Sequence, residues 1–376
     1  MSEVAELAAT LVRIDSVNPS LHAGAAGETE IAAFVADWLE RAGLDVTVVE
    51  PVPGRPSVVG VARGTGGGRS LLLNAHLDTV GVAAMENPFD ARIADGRLYG
   101  RGSYDMKGAL AAALLAAADA VNARLAGDVI VAAVADEEVA SIGTEAVLET
   151  LSADSCIVCE PTELEVAVAH RGFAGFEIET LGVAAHGSRP DLGVDAILRM
   201  GAILVALETL DRRLQGGSRH PLLGAGSLHA SLIEGGQEFS SYPERCIVTG
   251  ERRTLPGETA EDVERDLRAL LEPTLLEPPL LEPTADAEIR MLTTRDAFEL
   301  DEAHELVRLV LAAAESTAAV GLPFWADSAL TGAAGIPTVL FGPIGAGAHA
   351  AVEWVDIGSL ERCRQVYLKV ATALCR

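Results

Sequence analysis

Short apolar runs alternate with stretches of helical period through the first 160 residues, give way near residue 170, and resume past residue 300. Runs at 46–49, 57–62, 70–75, 129–135 and 155–159 read as strands, and those from 57 on are apolar enough to be buried. Helical spacing occupies 3–14, 28–43, 106–124 and 141–151. The second of these is entered through Gly27-Glu28-Thr29-Glu30 and stopped at Gly43. Strands and helices alternating at these lengths predict an α/β domain with a mostly parallel sheet covered by helices on both faces.

The middle of the chain follows another order. A strand at 173–181, a helix at 192–213, strands at 227–233 and 246–251, a helix at 258–271 and a strand at 286–293 predict a small α+β, ferredoxin-like domain. The proline-rich stretch 271–283 reads as a loop or rigid connection. The first pattern then returns with a helix at 302–316, a strand at 338–341 and a helix at 357–374. We therefore expect one discontinuous domain, 1–171 with 294–376, interrupted at 172–293 by a lid or dimerisation domain.

A chain of 376 residues suits two domains. Its net charge of −27 argues against nucleic acid or an anionic membrane as partner. No apolar stretch is long enough to span a bilayer, and the first residues lack the basic-then-apolar pattern of an export signal. Five cysteines, at 156, 159, 246, 363 and 375, are too few and too scattered for a disulfide framework, which points to a reducing cytoplasm. Cys156 and Cys159 have redox-motif spacing, but the strand pattern around them favours buried thiols. Every basic residue except Lys107 and Lys369 is arginine, a bias of composition rather than of chemistry.

The polar residues that carry chemistry sit where the apolar runs end. His76-Leu77-Asp78 follows the run at 70–75; on a strand the first and third side chains face the same way. Asp105 lies between Gly102 and Gly108, at the entrance to the long helix, where either Ser103 or Asp105 could serve as an N-cap. Asp136-Glu137-Glu138 follows the run at 129–135, and three adjacent acids repel one another unless water or cations surround them. Glu160 ends the run at 155–159. Far downstream, a glycine-rich loop after Phe341 leads to His349 and then Glu353. The carboxyl edge of an open sheet is where such folds bind ligands. A set of His, Asp and Glu without Cys suits a hydrolytic divalent metal better than a closed structural zinc site.

Taken together, these motifs resemble the aminoacylase / acetylornithine deacetylase / succinyl-diaminopimelate desuccinylase / glutamate carboxypeptidase family of dinuclear metallohydrolases. The resemblance spans the whole chain and is most specific at Gly100–Gly108 and Glu137-Glu138. It implies that Asp105 bridges two divalent metal ions, zinc first, with cobalt or manganese as alternatives. His76 and Glu160 would complete one site, Glu138 and His349 the other. Glu137 would be the general base and Asp78 the partner of His76's other ring nitrogen. In the inserted domain, His186 (within Ala184–Pro190) resembles the family histidine that reaches a neighbouring subunit's site and stabilises an oxyanion. Arg253 resembles the arginine that holds a substrate carboxylate. The stretch 238–243 departs from the family by lacking its usual Asn, and 325–328 by lacking a Thr before Asp327.

The resemblance thus implies an amidohydrolase acting on N-acyl-L-amino acids, with a hydroxide held between the cations as nucleophile and a homodimer formed through the insert. The alternative within the same chemistry is a dipeptidase or glutamate-type carboxypeptidase acting on short peptides. A metal-free binding protein is the rival from another class, and the intact ligand set argues against it.

Overall fold

In the computed structural model, residues 2–271 and 287–376 are described. The proline-rich stretch expected to be a connection lies, from residue 272 on, outside them. The chain divides into two compact units: Met1–Val168 with Glu299–Val320 and Ala326–Arg376, and Ala169–Phe298 with Gly321–Trp325.

The first unit is built on a mixed sheet. At its centre Leu71–His76 pairs in parallel with Val129–Val134 on one side and Ser155–Val158 on the other, and Thr338–Leu340 extends the parallel set beyond Ser155–Val158. The outer strands run antiparallel: Ser57–Ala62 against Val129–Val134, Asp45–Val49 against Ser57–Ala62, and Val166–His170 against Thr338–Leu340. The four central strands are buried at every residue, which is why they read as uninterrupted apolar runs rather than as alternation. Asp45–Val49, at the edge, alternates between exposed and half-buried residues instead.

The helix Gly108–Asn122 is Ala/Leu-rich and buried around most of its circumference. Its small side chains allow the close packing of Glu3–Arg13 and Ile357–Leu374 against it. Those two helices begin at side-chain caps, Ser2 accepting from Ala5 N and Asp356 from Ser359 N. Gly108–Asn122 has no side-chain cap, so neither Ser103 nor Asp105 serves that purpose. Residues 103–107 instead form one wide turn in which Asp105 has extended backbone angles. The Asp105–Met106 peptide is cis.

The second unit has a four-stranded antiparallel sheet in the order Ser227–Gly235, Arg245–Thr254, Gly172–Leu181, Ala287–Arg295. The helices Ala196–Gly216 and Ala260–Ala269 bury Met200, Ile203, Leu207, Val263 and Leu267 against Phe176, Ile178 and Val248. This is the expected ferredoxin-like order. The first helix starts at residue 196 rather than 192, because Asp195 caps it by accepting from Leu198 N. Thr259 and Asp262 form a reciprocal capping box on the second.

Candidate metal centre

Parallel pairing sets His76 opposite Val134 and Asn74 opposite Val158, so the chain leaves each of these strands at one edge of the sheet. Asp78, the 136–138 turn and Glu160 follow directly. The Asp105 turn and the 341–349 loop complete the constellation. The ligand atoms of His76, Asp105 and Glu160 lie within 4.8 Å of one another, and so do those of Asp105, Glu138 and His349. Asp105 belongs to both groups.

His76 is buried, at 1% exposure. Its Nδ1 lies 2.9 Å from the carbonyl oxygen of Asp78, an acceptor that requires this nitrogen to carry the proton. Nε2 therefore faces Asp105 Oδ1 at 3.1 Å and Glu160 Oε1 at 3.7 Å. The expected Asp78 carboxylate–His76 contact is thus made by the Asp78 carbonyl instead, with the carboxylate 3.7 Å from Nδ1. That carboxylate is occupied elsewhere: it accepts from Asn18 Nδ2 at 2.7 Å and from the backbone N–H groups of Glu137 and Glu138 at 3.1 and 3.2 Å. Asp78 consequently holds the acidic turn in place as well as facing the histidine. His349 approaches from the other side, with Nε2 3.1 Å from Glu138 Oε2 and 3.5 Å from Asp105 Oδ2. It sits on an exposed loop in the left-handed region, at φ +62°.

The electrostatics follow from crowding acids in a place with little water. Burial, then the neighbouring Glu160 charge, pushes the Glu137 carboxyl well above its usual range. Burial and Asp105 push Glu138 up, and burial raises Glu160 against the opposing pull of His76. Asp105 is the exception: hydrogen bonds from His349 and His76 overcome its burial and hold it well below the ordinary value. The Asp105 and Glu138 hydrogen bonds lift His349 to about 10. In His76, the Asp105 hydrogen bond and surrounding carboxylates override burial and keep the ring protonated well above its normal range.

These residues fit a pair of divalent cations. Four of the five are oxygen or nitrogen donors with little exposure, and Glu138 Oε1 is buried without a hydrogen-bond partner among the described residues. An orphaned buried carboxylate oxygen is costly unless something positive meets it. Neutral imidazole and carboxylate are the donors that zinc, cobalt and manganese accept.

Sequence reasoning missed the layer beneath. Asn18 bridges Asp78 and Asp136, donating to Asp136 Oδ1 at 2.9 Å. Arg55, 8% exposed, donates to the same Asp136 oxygen at 2.6 Å and forks onto buried Glu28 at 2.6 and 2.7 Å. Asp136 is therefore not part of a solvated acidic turn; it is neutralised from below while Glu137 and Glu138 turn toward the ligands. The one signal available was Arg55-Pro56 just ahead of a buried strand, and spacing alone does not distinguish a buried arginine from an exposed one. Thr144 donates to Asp327, whose carboxyl burial raises to about 6.

His186 and Arg253 belong to the second unit. His186 is on an exposed loop, with Nδ1 2.8 Å from Ser188 Oγ and backbone pairing to Ser241. Arg253 lies near the end of Arg245–Thr254, its guanidinium on Glu251 at 2.6 Å and 5.5 Å from the Phe173 ring centre. Strand alternation turns the neighbouring Arg252 inward, where Asp266 and Glu258 neutralise it.

The model of peptidase family M20/M25/M40 matches residues 72–373, which takes in every ligand position named above. The chain belongs to this family. Among curated M20 relatives, an acetylornithine deacetylase of Myxococcus xanthus is 32% identical over 356 residues, 92% of this chain and 90% of its own length. One from Proteus mirabilis (strain HI4320) is 32% identical over 251 residues, 64% of each chain. Solved structures share the M20 fold. Aminopeptidase PepT of Bacillus cereus superposes with a TM-score of 0.80 at 18% identity, over 100% of this chain and 98% of that one. A dinuclear metal binding M20 peptidase of Bacillus subtilis gives 0.76 at 17%, over 99% and 97%. The M20 chain described here is accordingly a metal-dependent hydrolase of amide bonds.

Proposed function

We propose that this M20 hydrolase is an N-acyl-L-amino acid amidohydrolase of the acetylornithine deacetylase type. The observation that carries the reading is the pair of ligand triads sharing Asp105, with Glu137 beside them. His76, Asp105 and Glu160 would hold one cation, and Asp105, Glu138 and His349 the other. When bound, the cations, zinc by first choice, would supply Lewis-acid polarisation of the amide carbonyl and acidify the attacking water. Glu137 accepts the proton of that water and returns it to the departing amine nitrogen. A carboxyl that burial holds above its usual range suits both taking up and returning that proton. Asp78 and Asn18 fix the turn from which Glu137 projects. His186 donates to the developing oxyanion and Arg253 takes the substrate carboxylate.

On this reading, residues 1–171 with 294–376 carry the chemistry, and 172–293 form a lid and dimerisation domain. Two features support a homodimer. Ser227–Gly235 is an edge strand with Leu232 and Ile233 exposed, and the helix Ala196–Gly216 exposes Leu198 and Val205. The cysteines, all free and buried, are consistent with a cytoplasmic setting. No helix among the described residues is long and apolar enough to cross a membrane.

The 32% identity to a deacetylase over nearly the full length favours acyl amino acids over peptides. The test is a panel of N-acetyl amino acids, N-acetylornithine included, run beside dipeptides and folyl-glutamate-type substrates after reconstitution with zinc, cobalt or manganese. Higher kcat/KM on the acylated amino acids is expected. Hydrolysis of dipeptides alone would replace this reading with the exopeptidase alternative.

A further inference from the structure

His349 is the proposed ligand with the least support of its own. Its side chain is 56% exposed, whereas that of His76 is 1% exposed, and it rides on a loop with positive φ at both Gly347 and His349. A ligand on such a loop binds tightly only if something else fixes the loop in advance.

Glu353 is placed to do so. It is 1% exposed and lies just before the strand Trp354–Asp356. Its Oε2 accepts from Arg101 Nη1 at 2.7 Å and Gly102 N at 3.0 Å; its Oε1 accepts from Tyr104 N at 2.9 Å and Asp105 N at 3.1 Å. Arg101, also 1% exposed, continues to the carbonyl oxygen of Ala350 at 2.9 Å. Gly100 N donates to the Glu353 carbonyl oxygen at 3.2 Å. Gly102 fits this arrangement because it takes φ +76° and leaves no room for a Cβ, which would come within 2.6 Å of Thr79 Cγ2. One buried carboxylate thus laces the segment carrying His349 to the turn carrying Asp105.

We propose that Glu353 is a positioning residue that sets Asp105 and His349 relative to each other and thereby the affinity for the cation held by Asp105, Glu138 and His349. The proposal rests on the ligand set put forward above. A carboxylate can accept from all four donors, whereas an amide turned either way presents its NH₂ to two of them. Glu353→Gln therefore breaks the lacing at nearly constant volume.

The experiment titrates Co²⁺ into chelator-stripped protein and follows the visible absorption of the bound ion together with stoichiometry. Wild-type protein is expected to take two equivalents. Glu353→Gln should take the first nearly as wild type and bind the second about 10–100-fold more weakly, with a changed spectrum, the loss typical when a partner of a metal ligand is removed. Arg364→Gln serves as the control for stability alone, since its partners Asp119 and Glu3 lie on helices that supply no ligand. If the amide variant does not fold, Glu353→Asp keeps the charge, draws it back by a methylene, and should weaken the second equivalent at the lower end of that range.

A second equivalent bound by the foldable variant as tightly as by wild type, or weakened equally by Arg364→Gln at matched loss of Tm, overturns the proposal. Wild-type protein that takes up fewer than two equivalents overturns the ligand set itself, and the role of Glu353 with it.

Discussion

Glu137 and Glu138 are neighbours in sequence, yet their surroundings give them different work. Glu138 is drawn to His349 at 3.1 Å, whereas Glu137 is near enough to Glu160 for its charge to be felt, and its backbone N–H donates to Asp78. A carboxyl raised by burial and left out of the ligand triads is suited to moving a proton. Glu137→Gln keeps the size and the Asp78 hydrogen bond but cannot accept that proton. We expect it to retain the fold and two metal equivalents, and to lose about 10²–10⁴ in kcat. Metal analysis beside steady-state kinetics checks this, and near-normal turnover would refute the assignment of the base.

At the scale of elements, the contrast is between covered and uncovered edges. In the first unit the four central strands are sealed on both faces. In the second, the strand Ser227–Gly235 pairs, among the described residues, only with Arg245–Thr254 and leaves Leu232 at 63% and Ile233 at 55% exposure. An edge of that kind invites pairing with a second copy. Leu232→Glu should leave the monomer's stability within about 0.5 kcal/mol, because the side chain is already in water there. If the proposed homodimer pairs along this edge, the substitution should also shift the protein from dimer to monomer in light scattering at micromolar concentration. A variant that stays dimeric would move the seam elsewhere.

For the whole molecule, the acid cluster makes stability depend on pH in an unusual direction when cations are stripped. Burial lifts Asp327 to about 6 and holds Glu137 and Glu160 well above the ordinary carboxyl range, so the folded state holds protons that the unfolded chain releases. Their contribution is complete below the ordinary carboxyl range and is lost as pH rises through the folded values. His349, lifted to about 10, acts in the same direction, its contribution lost as pH rises toward that value. Asp105, held low, contributes the opposite sign only in strong acid. The chelator-treated protein should therefore lose Tm between about pH 4 and pH 7, below the value of about 7 to which burial lowers Lys107, whose contribution has the opposite sign above it; the stabilisation gained on adding metal should grow across that window, because binding competes with those protons. Paired melts with and without chelator test this; a chelated Tm that rises across that window would contradict the cluster's electrostatics.

Much of the architecture was legible because burial leaves a periodic trace. The sheet centre showed as unbroken apolar runs, the inserted domain as a change of order, and the ligand candidates as polar residues at the ends of those runs. Three kinds of feature left no such trace. The Asp105 turn resembles an N-cap in sequence, and only the backbone decides that Asp105 is extended and faces two histidines. The Asp78 carboxylate was expected on His76, but Asn18 and two backbone N–H groups compete for it, and competition among donors for one acceptor is settled by distance. Arg55, Glu28 and Asp136 meet across 27 and 81 residues of sequence, and Glu353 and Asp105 across 248. By itself, then, the sequence determined which side chains were available and which elements carried them, since both depend on local pattern. Tertiary structure alone decided which charges neutralise which, because an ion pair depends on separation in space and on the exclusion of water, and neither is encoded by spacing along the chain.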